Sequence, residues 1–374
     1  MKDFELIEKI GNKKEHFLFQ GDNLEVMEKL KDEYKNLIDL IYIDPPYNTG
    51  KKMGKYNDNY INHEQWINFM ELRLELAYKF LSPCGIVFIS IGEEEEAYLK
   101  ILCDKIFKEE NKVSSIIWQS KYTVSNDKLG ISTQTEYILV YAKNIKNIKI
   151  NYDPLREEYV KSVYKNVDDD PRGAWRLGVQ LYKKKNKRSY KVTSPTGKEW
   201  IMPWNYSEES WHNNLEKNNL IYWGKDGNAC PVKKVFLKDT KGIAIKNLWT
   251  GEEVGYSADG GDLLENMFGD RNVFLYPKPV SLMKRIVQIA SQSNSLIMDF
   301  FAGSATLGQA ILEYNRDVKD SNRSFILITN NENNICNNVS FPRLKKVISG
   351  YTGKKDKVEF IPANGSLYYY QIKK

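Results

Sequence analysis

Short apolar runs and stretches of helical spacing alternate along the first part of the chain. Residues 17–20 and 37–43 are apolar runs bounded by polar turns. Residues 64–81 then place Trp66, Ile67, Met70, Leu74, Ala77 and Tyr78 on one helical face. The pattern predicts a strand over 86–91, a helix over 94–107, and strands at 116–118 and 137–141. It resumes near the C-terminus with a helix over 281–290, a strand over 295–300, a helix over 306–314, a strand over 324–328 and a last helix over 338–349. Near-continuous apolar strands alternating with helices of this length predict an α/β domain, a parallel sheet covered on both faces.

Between these regions, from 151 to 272, the periodicity is lost. That stretch is rich in Lys, Asn, Gly and Pro and holds Trp175, Trp200, Trp204, Trp211, Trp223 and Trp249, six of the eight tryptophans. It reads as a domain inserted between two halves of one sheet, residues 1–150 and 273–374. At roughly 150 residues per domain, two to three domains are expected for this length. No run approaches the ~18 apolar residues of a membrane span, and Asp3, Glu5 and Glu8 interrupt any signal-peptide pattern at the N-terminus. A cytoplasmic location without membrane association is therefore expected. Cys84, Cys103, Cys230 and Cys336 lie far apart, and His16, His63 and His212 are the only histidines, so neither a metal site nor a His-based triad is expected. A net charge of +6 is too mild to identify a nucleic-acid partner by itself.

The chemistry is concentrated in the string that begins at Leu40, where a hydrophobic strand runs into Asp44-Pro45-Pro46-Tyr47-Asn48-Thr49-Gly50. Two prolines fix φ and carry no N–H, so the backbone leaves the strand stiffly at its carboxyl end, the edge at which open α/β sheets bind ligands. Such a loop presents the Asp44 carboxylate, the Pro45 carbonyl and the Tyr47 ring together. An isolated Asp-Pro-Pro also fits a plain strand-exit turn, but the whole string suits an exocyclic amino group on a planar heterocycle. An aryl amine is a poor nucleophile because its lone pair is delocalised; two acceptors that hold its N–H bonds out of plane localise that pair. The ring holds the base by stacking, so the Tyr47 ring, not its hydroxyl, is expected to be the group used.

A second string, Ile297-Met-Asp299-Phe300-Phe301-Ala302-Gly303-Ser304-Ala305-Thr306, ends a buried strand in a small-residue turn that passes into a helix. Small residues let a ligand approach the backbone, and a helix N-terminus offers free N–H groups. About one βα unit further on, Asn330-Asn331-Glu332 follows the next strand, where an acidic side chain suits ribose hydroxyls. Together these features point to a cofactor bearing a nucleoside.

The two strings resemble those of S-adenosylmethionine-dependent DNA amino-methyltransferases. With the catalytic loop first and the cofactor loop last, the order is similar to the β group and, closer still, to the modification subunits of type III restriction systems. The likeness includes Phe19-Gln-Gly-Asp22, Tyr276-Pro-Lys278-Pro279, Asp170-Pro-Arg-Gly173, Tyr222-Trp-Gly-Lys225-Asp226, Asn247-Leu-Trp249 and Phe341-Pro-Arg343, and so extends over nearly the whole chain. The resemblance implies a Rossmann-like methyltransferase sheet with circularly permuted motif order and an inserted target-recognition domain. It implies S-adenosylmethionine as cofactor, held by Asp22, Lys278, Asp299, Phe301, Ala302, Gly303, Ser304, Thr306 and Glu332. The target adenine of double-stranded DNA would be flipped against Asp44, Pro45, Pro46 and Tyr47 and methylated at N6. A homodimer and a restriction nuclease subunit are the implied protein partners. Ala305 stands where many relatives have Gly, a change that a right-handed helical backbone tolerates.

Within the insert, Lys183, Lys184, Lys185, Lys187, Arg188, Lys191 and Lys198 occur with no acidic residue among them, interleaved with Tyr182 and Tyr190. Alone, such a run describes a solvated loop; inside a base-modifying enzyme it describes a DNA-phosphate surface. Arg156, Arg172, Arg176 and Arg188 are candidates for base-edge contacts. The acidic run at 93–96 reads as a helix start. N4-cytosine methylation is the nearest alternative, although that group more often carries Ser in place of Asp44. RNA and protein methylases favour Asn-Pro-Pro-Tyr, and a non-catalytic DNA-specificity subunit has no use for the 44–47 pocket.

Overall fold

The computed structural model describes residues 2–12, 15–50, 62–124, 130–183, 189–363 and 365–373. It divides into two compact units, Met1–Asn151 with Lys246–Lys374, and Tyr152–Ile245. The first unit opens with β1 (Phe4–Ile10), β2 (His16–Gln20), α1 (Asn23–Leu30), β3 (Ile38–Ile43) and α2 (His63–Phe80). It continues through β4 (Leu81–Ile91), α3 (Glu96–Phe107), β5 (Lys112–Gln119) and β6 (Thr135–Ala142). The second unit holds α4 (Glu157–Val163), β7 (Trp175–Gln180), β8 (Ser189–Thr193), β9 (Glu199–Pro203), α5 (Glu208–Ser210), β10 (Ile221–Tyr222) and β11 (Val232–Phe236). The first unit resumes with β12 (Leu248–Trp249), α6 (Gly251–Val254), α7 (Ser257–Phe268), α8 (Val280–Ala290) and β13 (Leu296–Asp299). It closes with α9 (Thr306–Asp317), β14 (Ser324–Thr329), α10 (Phe341–Ser349), β15 (Tyr351–Thr352), β16 (Glu359–Phe360) and β17 (Leu367–Ile372).

Among the described residues, ten strands form one mixed sheet in the order β1-β17-β2-β14-β13-β3-β4-β6-β5-β12. From β17 to β4 the neighbours are parallel. The sheet is not parallel throughout, as the apolar pattern suggested. β6 runs against both β4 and β5, and β1 against β17. Parallel neighbours need a crossover of a dozen or more residues, usually a helix; no helix lies among the described residues between β5 and β6, and the chain returns antiparallel. The central parallel strands, with helices crossing between them, make the sheet Rossmann-like. β13 leads through α9 to β14 on one side, whereas β3 leads through α2 to β4 on the other. The boundary between β13 and β3 is thus the topological switch point, where a crevice opens at the carboxyl ends.

The helix over α2 forms as its spacing predicts: Trp66, Met70, Leu74 and Ala77 are fully buried, and Asn62 caps its start by accepting the Gln65 N–H at 2.9 Å. The second unit is smaller than the expected 151–272, because residues 246–272 pack in the first. Trp249 pairs with Trp118 where β12 extends the main sheet, and Trp118 Nε1 donates to Gly255 O at 2.9 Å. This segment reads as irregular because its helix α7 contains two glycines. A Cβ at Gly260 would lie 2.1 Å from Pro277 O, so the close approach excludes a side chain there. The unit Tyr152–Ile245 has its own core of Leu181, Val192, Trp204, Trp211, Leu215, Ile221 and Trp223, a few large aromatics substituting for a periodic aliphatic face. No helix among the described residues is long and apolar enough to cross a membrane.

Candidate active site

Four adjacent parallel strands deliver carboxylates to one edge of the sheet: Asp22 just after β2, Glu332 after β14, Asp299 ending β13 and Asp44 just after β3. The 44–47 loop is held from two sides. Trp66 on α2 donates its indole N–H to Pro46 O at 2.7 Å, so the lock sits on Pro46 and not on Pro45. Glu95, fully buried, accepts from Asn48 Nδ2 at 2.7 Å and lies 2.7 Å from His63 Nδ1. Glu95 thus anchors the loop as well as opening α3, a role hidden by its place in an acidic run that suits a helix start.

Lys278 and Glu136 complete the pocket. Lys278 Nζ lies 2.8 Å from Asp44 Oδ1 and 3.4 Å from Glu136 Oε2, and 4.9 Å from the centre of the Tyr47 ring. The resemblance assigned Lys278 to the cofactor; the structure places its ammonium in the 44–47 pocket. Glu136, at the start of β6, is invisible to sequence reasoning, because one acid opening an apolar strand carries no signal of its own. The Tyr47 hydroxyl is in use: its single proton is shared between Glu136 Oε2 at 2.9 Å and Asp44 Oδ1 at 3.1 Å. Burial raises the Asp44 pKa above the ordinary carboxylate range, Lys278 opposes that rise and Glu136 adds to it. Burial disfavours the Lys278 ammonium, but Asp44 and Glu136 outweigh it and its pKa lies above the usual lysine value.

The 299–306 turn lies directly across the switch point. Asp299, buried at the end of β13, accepts the Phe301 N–H at 2.9 Å, and burial pushes its carboxyl well above the ordinary range. Gly303 and Ala305 both have positive φ, 49° and 63°. Ala305 is therefore left-handed, not in the right-handed conformation expected of it, and its methyl costs roughly 1–2 kcal/mol. The turn is braced by the Ser340 hydroxyl, which donates to Gly303 O at 2.6 Å, and by Arg343 of α10, which is fully buried. Its guanidinium donates to Ser304 O at 3.2 Å, Ser304 Oγ at 3.0 Å, Thr306 Oγ1 at 2.8 Å and Gln309 Oε1 at 2.7 Å. Both hydroxyls of the turn thus face Arg343, while Phe301 is half-buried and Ala302 buried. Asn330 Oδ1 accepts the Glu332 N–H and Asn331 Oδ1 the Asn337 N–H, each at 3.3 Å, so the asparagines shape the turn and the Glu332 side chain is exposed. Asp22 caps α1 through Leu24 N at 3.0 Å and Glu25 N at 3.2 Å, and buried Arg73 lies 3.6 Å from its Oδ2.

Residues 38–339 match the DNA methylase family. The chain belongs to this family. It is 36% identical over 350 residues to the type III restriction-modification enzyme StyLTI Mod subunit of Salmonella typhimurium, covering 85% of this chain and 53% of that one. Against the EcoPI Mod subunit of Escherichia phage P1 the identity is 30%, over 85% and 58% of the two chains. The type II methyltransferase M.KpnI of Klebsiella pneumoniae is 29% identical, with 84% and 80% covered. The chain spans just over half the length of the two Mod subunits.

In the second unit of this DNA methylase, Lys183 is exposed and its N–H donates to Pro203 O at 3.0 Å. Lys184, Lys185, Lys187 and Arg188 lie outside the described residues. Lys191 is paired with Glu199 at 3.0 Å. Arg172 is held within its own unit. Its guanidinium is spent on Asp170 (2.8 and 2.7 Å) and on the carbonyls of Asn218 (2.6 Å) and Asn219 (2.9 Å). Arg176 turns back to Tyr164 Oη at 3.1 Å and Leu177 O at 3.1 Å, whereas Arg156 is exposed.

Proposed function

We propose that this DNA methylase transfers a methyl group from S-adenosylmethionine to the N6 amino group of adenine in double-stranded DNA, as the modification half of a restriction-modification system. The reading is carried by one juxtaposition: the Asp44-Pro45-Pro46-Tyr47 loop ends β3 directly beside the small-residue turn that ends β13. It is supported by likeness to proteins named Mod subunits and a type II methyltransferase.

The residues at the turn fit the cofactor. A Cβ at Gly303 would meet the Phe274 ring at 3.0 Å, so the turn is a cradle that a side chain would fill. The Gly303 main-chain N–H and the first N–H groups of α9 suit a carboxylate, and the exposed carboxylates of Asp22 and Glu332 suit ribose hydroxyls and an ammonium. Asp299 and Arg343 hold the turn in shape. The cofactor, when bound, supplies a sulfonium methyl, which the target nitrogen takes as the carbon–sulfur bond breaks. Asp44 and the Pro45 carbonyl hold the amino group so that its lone pair is localised, and Tyr47 stacks on the flipped base, whose extrusion costs a few kcal/mol. The nitrogen, cationic after transfer, loses a proton to Asp44 or to water. Catalysis is then mostly positioning and electrostatics.

The unit Tyr152–Ile245 is the proposed target-recognition domain, with Lys183, Lys184, Lys185 and Arg188 on DNA phosphates. A homodimer and a restriction nuclease subunit are the proposed protein partners, and the cytoplasm the proposed location. The test is nucleoside mass spectrometry of DNA incubated with protein and S-adenosylmethionine. N6-methyldeoxyadenosine, lost with Asp44→Ala while cofactor binding is retained, is the expected result. N4-methyldeoxycytidine would overturn the base, and no methylated base despite bound cofactor would overturn the DNA substrate.

A further inference from the structure

The oxygen that the target amino group needs is already occupied. Asp44 Oδ1 receives Lys278 Nζ at 2.8 Å and the Tyr47 hydroxyl at 3.1 Å. An ammonium donating to a carboxylate is, in hydrogen-bonding terms, the partner that an exocyclic amino group is. Its placement is also specific. The Lys278 side chain retains 11% of its exposure, its charge lies 4.9 Å from the Tyr47 ring centre and 5.9 Å from that of Trp118, and a second carboxylate, Glu136, waits at 3.4 Å. Glu136 is tied to the same assembly through the Tyr47 hydroxyl at 2.9 Å.

We propose that Lys278 is an internal stand-in for the target amino group, and that Glu136 is the positioning residue onto which its ammonium moves when the base arrives. The proposal rests on the reading of the 44–47 loop as the amino-group pocket. Binding of the base is then an exchange at Asp44 and not the filling of an unpaired polar cavity. The two carboxylates and one ammonium carry one surplus negative charge throughout, and neither carboxylate is left buried without a donor at either stage. Glu136 is required because without it the displaced ammonium has no anion to receive it in a pocket that water enters poorly. No bond other than hydrogen bonds is made or broken in the exchange.

The test compares Glu136→Gln, Lys278→Met and the double variant. It uses steady-state methylation of DNA, calorimetric titration with S-adenosylmethionine, and thermal melting to verify folding. Glu136→Gln is isosteric and keeps an acceptor for Tyr47. It should lower kcat/KM for DNA about tenfold or more, the loss of one hydrogen bond to a charged group, while cofactor affinity stays within a factor of about three. Adding Lys278→Met should raise activity back toward that of Lys278→Met alone, since no ammonium then competes for Asp44. An unchanged kcat/KM in Glu136→Gln overturns the proposal. So does a double variant slower than Glu136→Gln, which would make the ammonium a participant in turnover. So too does a Lys278→Met protein that folds but loses cofactor affinity more than tenfold, which would assign the ammonium to the cofactor. Failure of the wild-type protein to methylate any DNA base is a different outcome, and it would refute the proposed function itself.

Discussion

Replacing Arg343 by Met removes the guanidinium that holds Ser304 and Thr306 of the turn, leaving the Ser340 hydroxyl on Gly303 O at 2.6 Å. Ser304 O and Gln309 Oε1 lose their Arg343 donor, at 3.2 and 2.7 Å, whereas the Ser304 and Thr306 hydroxyls retain each other at 3.2 Å. An unsatisfied buried acceptor costs about 1–3 kcal/mol. Burial already strains the cation, lowering its pKa to about 10, and methionine relieves that. A net loss of about 2–4 kcal/mol is expected, which for a domain of this size is a fall in Tm of roughly 5–10 °C. A second consequence is separate from stability. The left-handed Ala305 costs roughly 1–2 kcal/mol; once released, the binding-competent turn becomes a minor state and the Kd for S-adenosylmethionine rises about 5- to 30-fold. Ala305→Gly in the Arg343→Met background should restore most of that affinity without restoring Tm, because glycine adopts the conformation without the methyl clash. Thermal melting and calorimetric titration of the two variants separate the effects. Wild-type affinity in Arg343→Met, or no recovery with Ala305→Gly, would show that the turn keeps its shape without Arg343 and would refute the argument.

Tyr47→Phe should lower kcat about 10- to 100-fold, since the one hydroxyl proton shared by the two carboxylates is lost and a hydrogen bond to a charged group is worth about 1.5–3 kcal/mol; an unchanged kcat would leave only the ring in use. Activity should require ionised Asp44, so its acid limb should rise with pH through a pKa above the ordinary aspartate value of about 4. That limb should shift to lower pH in Glu136→Gln, which removes a like charge, and to higher pH in Lys278→Met, which removes the opposite one; pH–rate profiles of the three proteins give both signs. Neutralising Lys184, Lys185 and Arg188 to Gln should reduce the slope of log K for DNA against log salt by about 0.9 for each phosphate that is no longer neutralised. An unaltered slope in filter-binding titrations would return that run to a solvated loop.

The elements with internal periodicity could be read from the sequence alone. The Trp66 to Ala77 stripe and the apolar runs of β3, β4, β13 and β14 record their burial residue by residue, because a buried face must be apolar wherever the chain repeats past it. The Asp44-Pro45-Pro46-Tyr47 string and the 299–306 turn were legible for a related reason: each is built from consecutive residues whose types are recognisable together, although groups from elsewhere hold the final shape. Terminal strands β1 and β17 were not, since they pair with each other from opposite ends of the chain, Phe4 with Ile372, and Leu6 and Ile7 remain exposed. The antiparallel course of β6 and the transfer of residues 246–272 to the first unit depend on which partner each short strand meets. The active site divides in the same way. Asp44 and Tyr47 are neighbours in sequence, but the carboxylate that shares their ammonium stands on β6, the ammonium comes from Lys278, and the left-handed turn is held by Arg343 of α10. Such groups become chemistry only through distances of a few ångströms between residues far apart in the chain. Electrostatic and hydrogen-bond energies depend on those distances, and no single stretch of sequence contains them.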